Sequence, residues 1–453
     1  MRPKIGLIAV GRAPWLRTEL VEELKNLALT GLKKLPADLV VADGIPFKLD
    51  EVWEATRLMK KEDVDAVVLF HANWTYGEIY CLLGKELFEY PIIQWGMYKT
   101  PGATNVGIPL PGLLESYGDM IRLGKKTFFV IGSPIEDQVI DQIGKLVNAC
   151  TAIKKLRRSR LGVAGGQNLG QTDTTYSEFH MRNIVPALLH LDMLEVLQEL
   201  RRVDENEARS IAESVIKKVG RVEVGEEHVL GAAKAYLAIR EVVKKHKLDA
   251  ITLREWPEAP IENFTMSLAN ALLDEQGIPC VSECDIPSTI LWLVYRALSE
   301  DPVWLCEFEW VDDVEKNTAI LQHNCEAPFR LAKSLKDITI TYTGFVEWFG
   351  GRKGGANIQL ELKPGKVTIA KIDGRPINGR IRAMITTGHI DASPYPPVDG
   401  VSRGYIKFDC SVKELVDTWV TRGFGHHVVL SYGDHKDELA AIFDLMNLDT
   451  TVM

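Results

Sequence analysis

The chain has 453 residues, 46% of them hydrophobic and 25% charged, with a formal net charge of −9. That is enough chain for several domains and a large buried core, and the acidic balance without any basic tract excludes nucleic acid as a partner. The apolar run at the N-terminus is too short for a membrane span or a signal segment. Seven scattered cysteines with no CxxC pair fit a reduced, cytoplasmic setting better than a disulfide framework.

From the N-terminus, short β-branched runs predict strands at 4–10, 38–43, 65–70, 90–96 and 127–132, with amphipathic helices between them, such as 16–35 and 49–62. Continuously apolar strands alternating with helices imply a parallel sheet covered on both faces. The basic run at 154–162 reads as a solvated linker. A second alternating block follows, with strands at 160–166, 248–256 and 278–285 and long charged helices at 205–219 and 228–247. The last third changes character. Segments 338–348, 357–364, 366–374, 379–390, 404–410 and 426–434 alternate by twos between Gly, Pro and Asp turns, and helices are expected at 411–421 and 436–448. That pattern predicts an antiparallel sheet or barrel. The expected fold is therefore α/β. Two Rossmann-like parallel-sheet domains, 1–155 and 156–325, precede a β-rich, barrel-like domain at 326–453.

Function in parallel sheets collects past the C-terminal ends of the strands. His71, Asn73 and Trp74 follow one such strand, and Trp95 and Lys99 lie at and just beyond the end of another. Glu255 and Glu258 straddle the stop at Trp256–Pro257, since proline removes a ladder donor. Glu283 and Asp285, two residues apart, would share one side of a strand, where two acids are costly to bury unpaired. A divalent cation would satisfy both; solvent at a frayed strand end is the simpler alternative. His323 follows an apolar run, and His426 and His427 open the last one. On a strand those two point to opposite faces, so only one serves a given site. Carboxylates and imidazoles from separate elements make the mixed oxygen–nitrogen set that Mn2+, Co2+ or Zn2+ accepts.

These segments resemble the L-fucose isomerase/L-arabinose isomerase family: Trp-Pro-Glu258 after a strand, the Glu283-x-Asp285 turn, the His323 segment, the late Gly-x-x-His427 segment and the stretch QWGMYKT at 94–100. The resemblance implies a metal-dependent aldose–ketose isomerase working through a metal-stabilised enediol, with Mn2+ (or Co2+ or Mg2+) as cofactor. It implies Glu258, Asp285 and His427 as ligands, with Glu283 and His426 in reserve, and Glu258 and Asp285 as the acid/base pair. Asn73, Trp74, Gln94, Trp95, Lys99 and His323 would bind the sugar. Family members are trimers or hexamers, so a homo-oligomer is expected. The alternatives are another metal-dependent sugar enzyme, an aldolase or hydrolase, and a cytoplasmic sugar-binding protein that catalyses nothing.

Overall fold

The computed structural model describes residues 2–11, 18–99, 109–168, 170–185, 187–262, 264–324, 327–344 and 352–453. In it the apolar runs of the first third form a parallel sheet. Its strands are β1 (Lys4–Val10), β2 (Asp38–Val41), β3 (Ala66–His71), β4 (Ile92–Gly96) and β5 (Phe128–Ile131), in the order β2-β1-β3-β4-β5. Helices α1 (Thr18–Leu32), α2 (Leu49–Lys61), α3 (Gly77–Glu86) and α4 (Pro109–Arg122) connect them, and α5 (Asp137–Arg158) follows. β3 is buried along its whole length, as a strand covered on both faces must be. Residues such as Ile8, Val67, Leu69 and Leu83 belong to this unit's own core. The basic run at 154–162, expected as linker, is largely the last turn of α5. There Ile153 and Leu156 are buried and Lys154 pairs with Asp65 at 2.9 Å.

The chain divides into two compact units, Met1–Lys154 and Lys155–Met453. The second opens on β6 (Arg160–Ala164), α6 (Glu178–Ile184), β7 (Ala187–Leu191), α7 (Met193–Leu200), α8 (Glu205–Lys218), β8 (Arg221–Val222), α9 (Glu226–His246) and β9 (Ala250–Leu253). It continues with α10 (Glu258–Ile261), α11 (Met266–Glu275), β10 (Cys280–Val281) and α12 (Ile286–Leu298). β6, β7, β9 and β10 make a parallel sheet in the order β10-β9-β6-β7.

The remaining strands are β11 (Val303–Asp313), β12 (Thr318–His323), β13 (Thr339–Thr341), β14 (Asn357–Gln359), β15 (Gly365–Ile372), β16 (Arg382–Asp391) and β17 (Ser402–Phe408). After α13 (Val412–Arg422) come β18 (His427–Tyr432), α14 (Lys436–Leu445) and β19 (Asp449–Val452). The order β15-β18-β11-β12-β17-β16 closes by a β15–β16 ladder, so six antiparallel strands form a barrel, with β19 added in parallel to β16. Closure removes the open edges a flat sheet would leave.

Two details differ from the sequence expectation. The barrel starts at Val303, ahead of the boundary placed at 326, because the hairpin β11–β12 belongs to it. The segments at 338–348 and 357–364 contribute β13 and β14, which instead join β8 in a small separate sheet; residues 345–351 lie outside the described residues. α12 packs against β9 of the sheet and against β11, β15 and β18 of the barrel. One continuous apolar core, from Leu253 and Leu268 to Ile369 and Leu430, joins the two parts.

Candidate active site

The strand expected at 278–285 stops at Val281. Glu283 and Cys284 both take left-handed backbone, with φ of 64° and 54°, a conformation that side chains with a Cβ rarely adopt. Two such residues in succession end the ladder and turn the chain into α12, whose N-cap is Asp285. Glu283 and Asp285 thus converge through a turn, not through strand alternation. Strain of this kind collects where function over-determines the backbone.

The barrel supplies the histidines. β12 ends on His323 and β18 begins with His427; β11 lies between them, with Glu307 opposite both Gln322 and His427. That register brings the two imidazoles edge to face, with ring centroids 5.4 Å apart. Glu283, His323 and His427 are all buried, and their ligand atoms lie within 4.8 Å of one another, close enough to share one cation. One hard and two borderline donors suit Mn2+, Co2+ or Zn2+.

His427 is held from two sides. Nδ1 donates to Asp285 Oδ2 at 2.9 Å, and Nε2 lies 3.2 Å from Glu283 Oε2. Burial works against a charge on this ring, but the Asp285 and Glu283 carboxylates outweigh it and lift its pKa to about 10. Burial likewise opposes charge on Asp285; His427, Lys371 and the Ser288 amide overcome it and bring the carboxyl down to about 2. Glu283 is held ionised against burial by His427, His323 and the Gln171 amide, which donates at 2.8 Å. A cation bound by this group would compete with the proton on the His427 ring.

Asp285, expected as a ligand, accepts three hydrogen bonds: from the Ser288 amide at 3.0 Å, from Ser288 Oγ at 2.7 Å and from His427. Those bonds take most of its lone pairs, so of the two acids left open by the sequence, Glu283 is the one grouped with the histidines. Asp285 instead fixes which nitrogen of His427 faces the site. His426, the reserve ligand, is half exposed. It pairs through Nδ1 with Asp173 and through Nε2 with Glu307 at 3.4 Å, and its ring lies 4.3 Å, centroid to centroid, from that of His427.

Glu258 starts α10 and grips Arg254 with both oxygens, so it is not part of the ligand group. Burial first, then the Glu258, Asp285 and Glu283 carboxylates, push the Cys284 thiol up to about 12 against the pull of Arg254.

The other expected sugar-binding residues belong to the first unit. Asn73 is buried, and its side chain accepts from the Trp74 amide at 2.9 Å. Trp74 donates its indole N–H to Glu115. Gln94 bonds His71 and Thr127, and Trp95 donates to the Gly132 carbonyl at 3.0 Å; both are buried in the unit's interior. Lys99 is exposed. Sequence reading passed over Gln171, Asp173 and Lys371. For Lys371 a signal existed: it occupies the apolar face of β15 that Val367 and Ile369 share.

A parallel sheet fused to a closed barrel, with a carboxylate and two imidazoles meeting where their common core ends, has the make-up of an enzyme for a small polar substrate. No family model matches the chain. It is 23% identical over 444 residues to the sulfoquinovose isomerases of Priestia aryabhattai and Priestia megaterium, covering 96% of this chain and 96% of each relative. It is 22% identical over 392 residues to that of Alkalicoccus urumqiensis, covering 85% of both chains. The chain is a sugar isomerase, an enzyme that interconverts an aldose and a ketose. Among solved structures, a solute-binding protein from Agrobacterium vitis bound with alpha-D-tagatopyranose aligns with 66% of this chain and 88% of its own at 12% identity, with a TM-score of 0.17, too slight to carry a conclusion. No helix among the described residues is long and apolar enough to cross a membrane.

Proposed function

We propose that the chain is a metal-dependent isomerase of the L-fucose/L-arabinose isomerase type whose substrate is a sulfonated aldohexose, sulfoquinovose, as in its relatives. The observation that carries the metal dependence is the buried group Glu283, His323 and His427. The substrate rests on relatives matched over nearly the whole chain. A divalent cation bound there supplies Lewis-acid polarisation of the sugar's reacting oxygens.

The chain's own residues do the rest. Isomerisation removes the proton on C2, returns one to C1, and moves the hydroxyl proton from O2 to O1. Glu258, paired with Arg254 through both carboxylate oxygens, is the residue assigned to take the C2 proton. Asp285 keeps the Nδ1 proton of His427 and so leaves Nε2 directed at the ligand position. His323 and His427, both buried, exclude water from that side of the site.

The test is ketose formation from sulfoquinovose, L-fucose, L-arabinose and D-glucose. The protein is first stripped with chelator, then resupplied with Mn2+, Co2+, Mg2+ or Zn2+. Activity on sulfoquinovose that vanishes with chelator and returns with Mn2+ is the expected result. Glu283→Gln should lose both metal and turnover. Glu258→Gln should keep metal but lose turnover by at least about 100-fold, the lower range for removing a general base. Full activity after exhaustive chelation would refute the metal role.

A further inference from the structure

The turn that follows β15 gathers charge at one end of the barrel. Lys371 lies on β15 with Asp373 two residues on, and Arg375 and Arg382 flank that acid. Lys371 is only 3% exposed, and its ammonium makes no hydrogen bond or ion pair with any described residue. Asp285, Asp173 and Asp373 act on it through their charge, but each already has a closer partner. Asp285 is bonded to His427 and Ser288, Asp173 to His426, and Asp373 to Arg375 and Arg382. Once every acid is matched with its nearest donor, the Lys371 ammonium is left over. Arg382 repeats the pattern. One nitrogen bonds Asp373 and the Gly423 carbonyl, while Nε and Nη1 are buried with no partner.

Buried cations with unmatched donors are unfavourable in an empty protein. Burial pulls the Lys371 amine below its usual range, and the three nearby acids offset this only in part. An oxyanion at this place would compensate the charge and accept the free N–H groups. The place is adjacent to the ligand group: β15 runs beside β18 with Ala370 opposite Val429, so Lys371 lies next to the start of β18, where His427 stands.

We infer that Lys371, supported by the unmatched donors of Arg382, forms a subsite for the anionic substituent of the substrate, a sulfonate on the sugar end remote from the reacting carbons. This rests on the sulfosugar reading above for its ligand, but on the unpartnered cations for its location. The subsite selects the charged sugar over its neutral counterpart, and it acts on binding rather than on proton transfer.

The experiment compares wild type with Lys371→Met and Lys371→Gln, each loaded with Mn2+, on sulfoquinovose and on D-glucose. Both variants should bind Mn2+ as wild type does. Each should lose 100-fold or more in kcat/KM for sulfoquinovose, mostly through KM, and less than threefold for glucose. An equal loss on both sugars, or a loss on neither, overturns the subsite. If wild type turns over a neutral sugar and ignores sulfoquinovose, the substrate reading fails separately. Titration with methanesulfonate then decides the subsite. Binding to wild type that the Lys371 variants lose supports it, and binding that is absent or unchanged in the variants overturns it.

Discussion

Asp285 shows how one carboxylate can hold two elements in register. Its Oδ2 takes the Nδ1 proton of His427 while Oδ1 caps α12 through the Ser288 amide. Asparagine can still cap the helix but presents a neutral acceptor to the ring. Asp285→Asn should therefore leave the fold intact and weaken Mn2+ binding by about 10–100-fold, the usual effect of losing such a partner; a Mn2+ titration of the purified variant reads this directly. His71 makes a different prediction. It is fully buried at the end of β3 with Nε2 on Gln94 and Nδ1 without a partner, and burial pulls its pKa from 6.5 to about 3. Unfolded, the ring takes a proton near pH 6.5; folded, only near 3. Its contribution to stability is thus complete above 6.5 and lost as the pH falls towards 3, at about 1.4 kcal/mol per pH unit. Urea unfolding of wild type between about pH 4.5 and 7 should show that slope, and His71→Gln should flatten it.

Among the elements, the barrel closes on contacts that tolerate little change. Gly388 on β16 lies opposite Val367 on β15 and Phe408 on β17. A Cβ there would stand 2.7 Å from the Lys407 carbonyl oxygen and 3.0 Å from Ile406 Cδ1. Backbone cannot yield as a side chain can, so Gly388→Ala should destabilise the protein by about 1–3 kcal/mol, read as a lower urea midpoint. Helix α9 offers the opposite case. It ends at Lys247 in left-handed backbone, φ 53°, where glycine carries no Cβ penalty. Lys247→Gly should raise stability by up to about 1 kcal/mol, with activity unchanged.

Across the molecule, each unit carries its own apolar core, and every residue of the ligand group lies in the second. Metal stabilisation should follow that division. At about 100 times its dissociation constant, Mn2+ should add about 2.7 kcal/mol to whatever it binds. Hydrogen exchange with and without Mn2+ should slow amides in Lys155–Met453, above all in β10, β12, β18 and the start of α12, and leave β1 to β5 unchanged. Slowing confined to the first unit would place the metal elsewhere.

The strands of the first unit were legible because a strand buried on both faces has to be apolar throughout, as AVVLFH in β3 is. The barrel strands β15 to β18 were legible from their two-residue alternation. β11 was not, since irregularities between Phe308 and Trp310 and between Val311 and Asp313 break its period. The candidate acids and histidines could be picked out by residue type and by their places at strand ends. Their division of labour could not. Which of Glu283 and Asp285 joins the ligand group depends on two left-handed residues, and which nitrogen of His427 faces it depends on the β11–β18 register and on the α12 cap. Periodicity and residue type are local and can be read along a chain. Register, backbone handedness and the leftover charge on Lys371 arise between segments far apart in sequence, and they take definite values only when the core that joins sheet and barrel has packed.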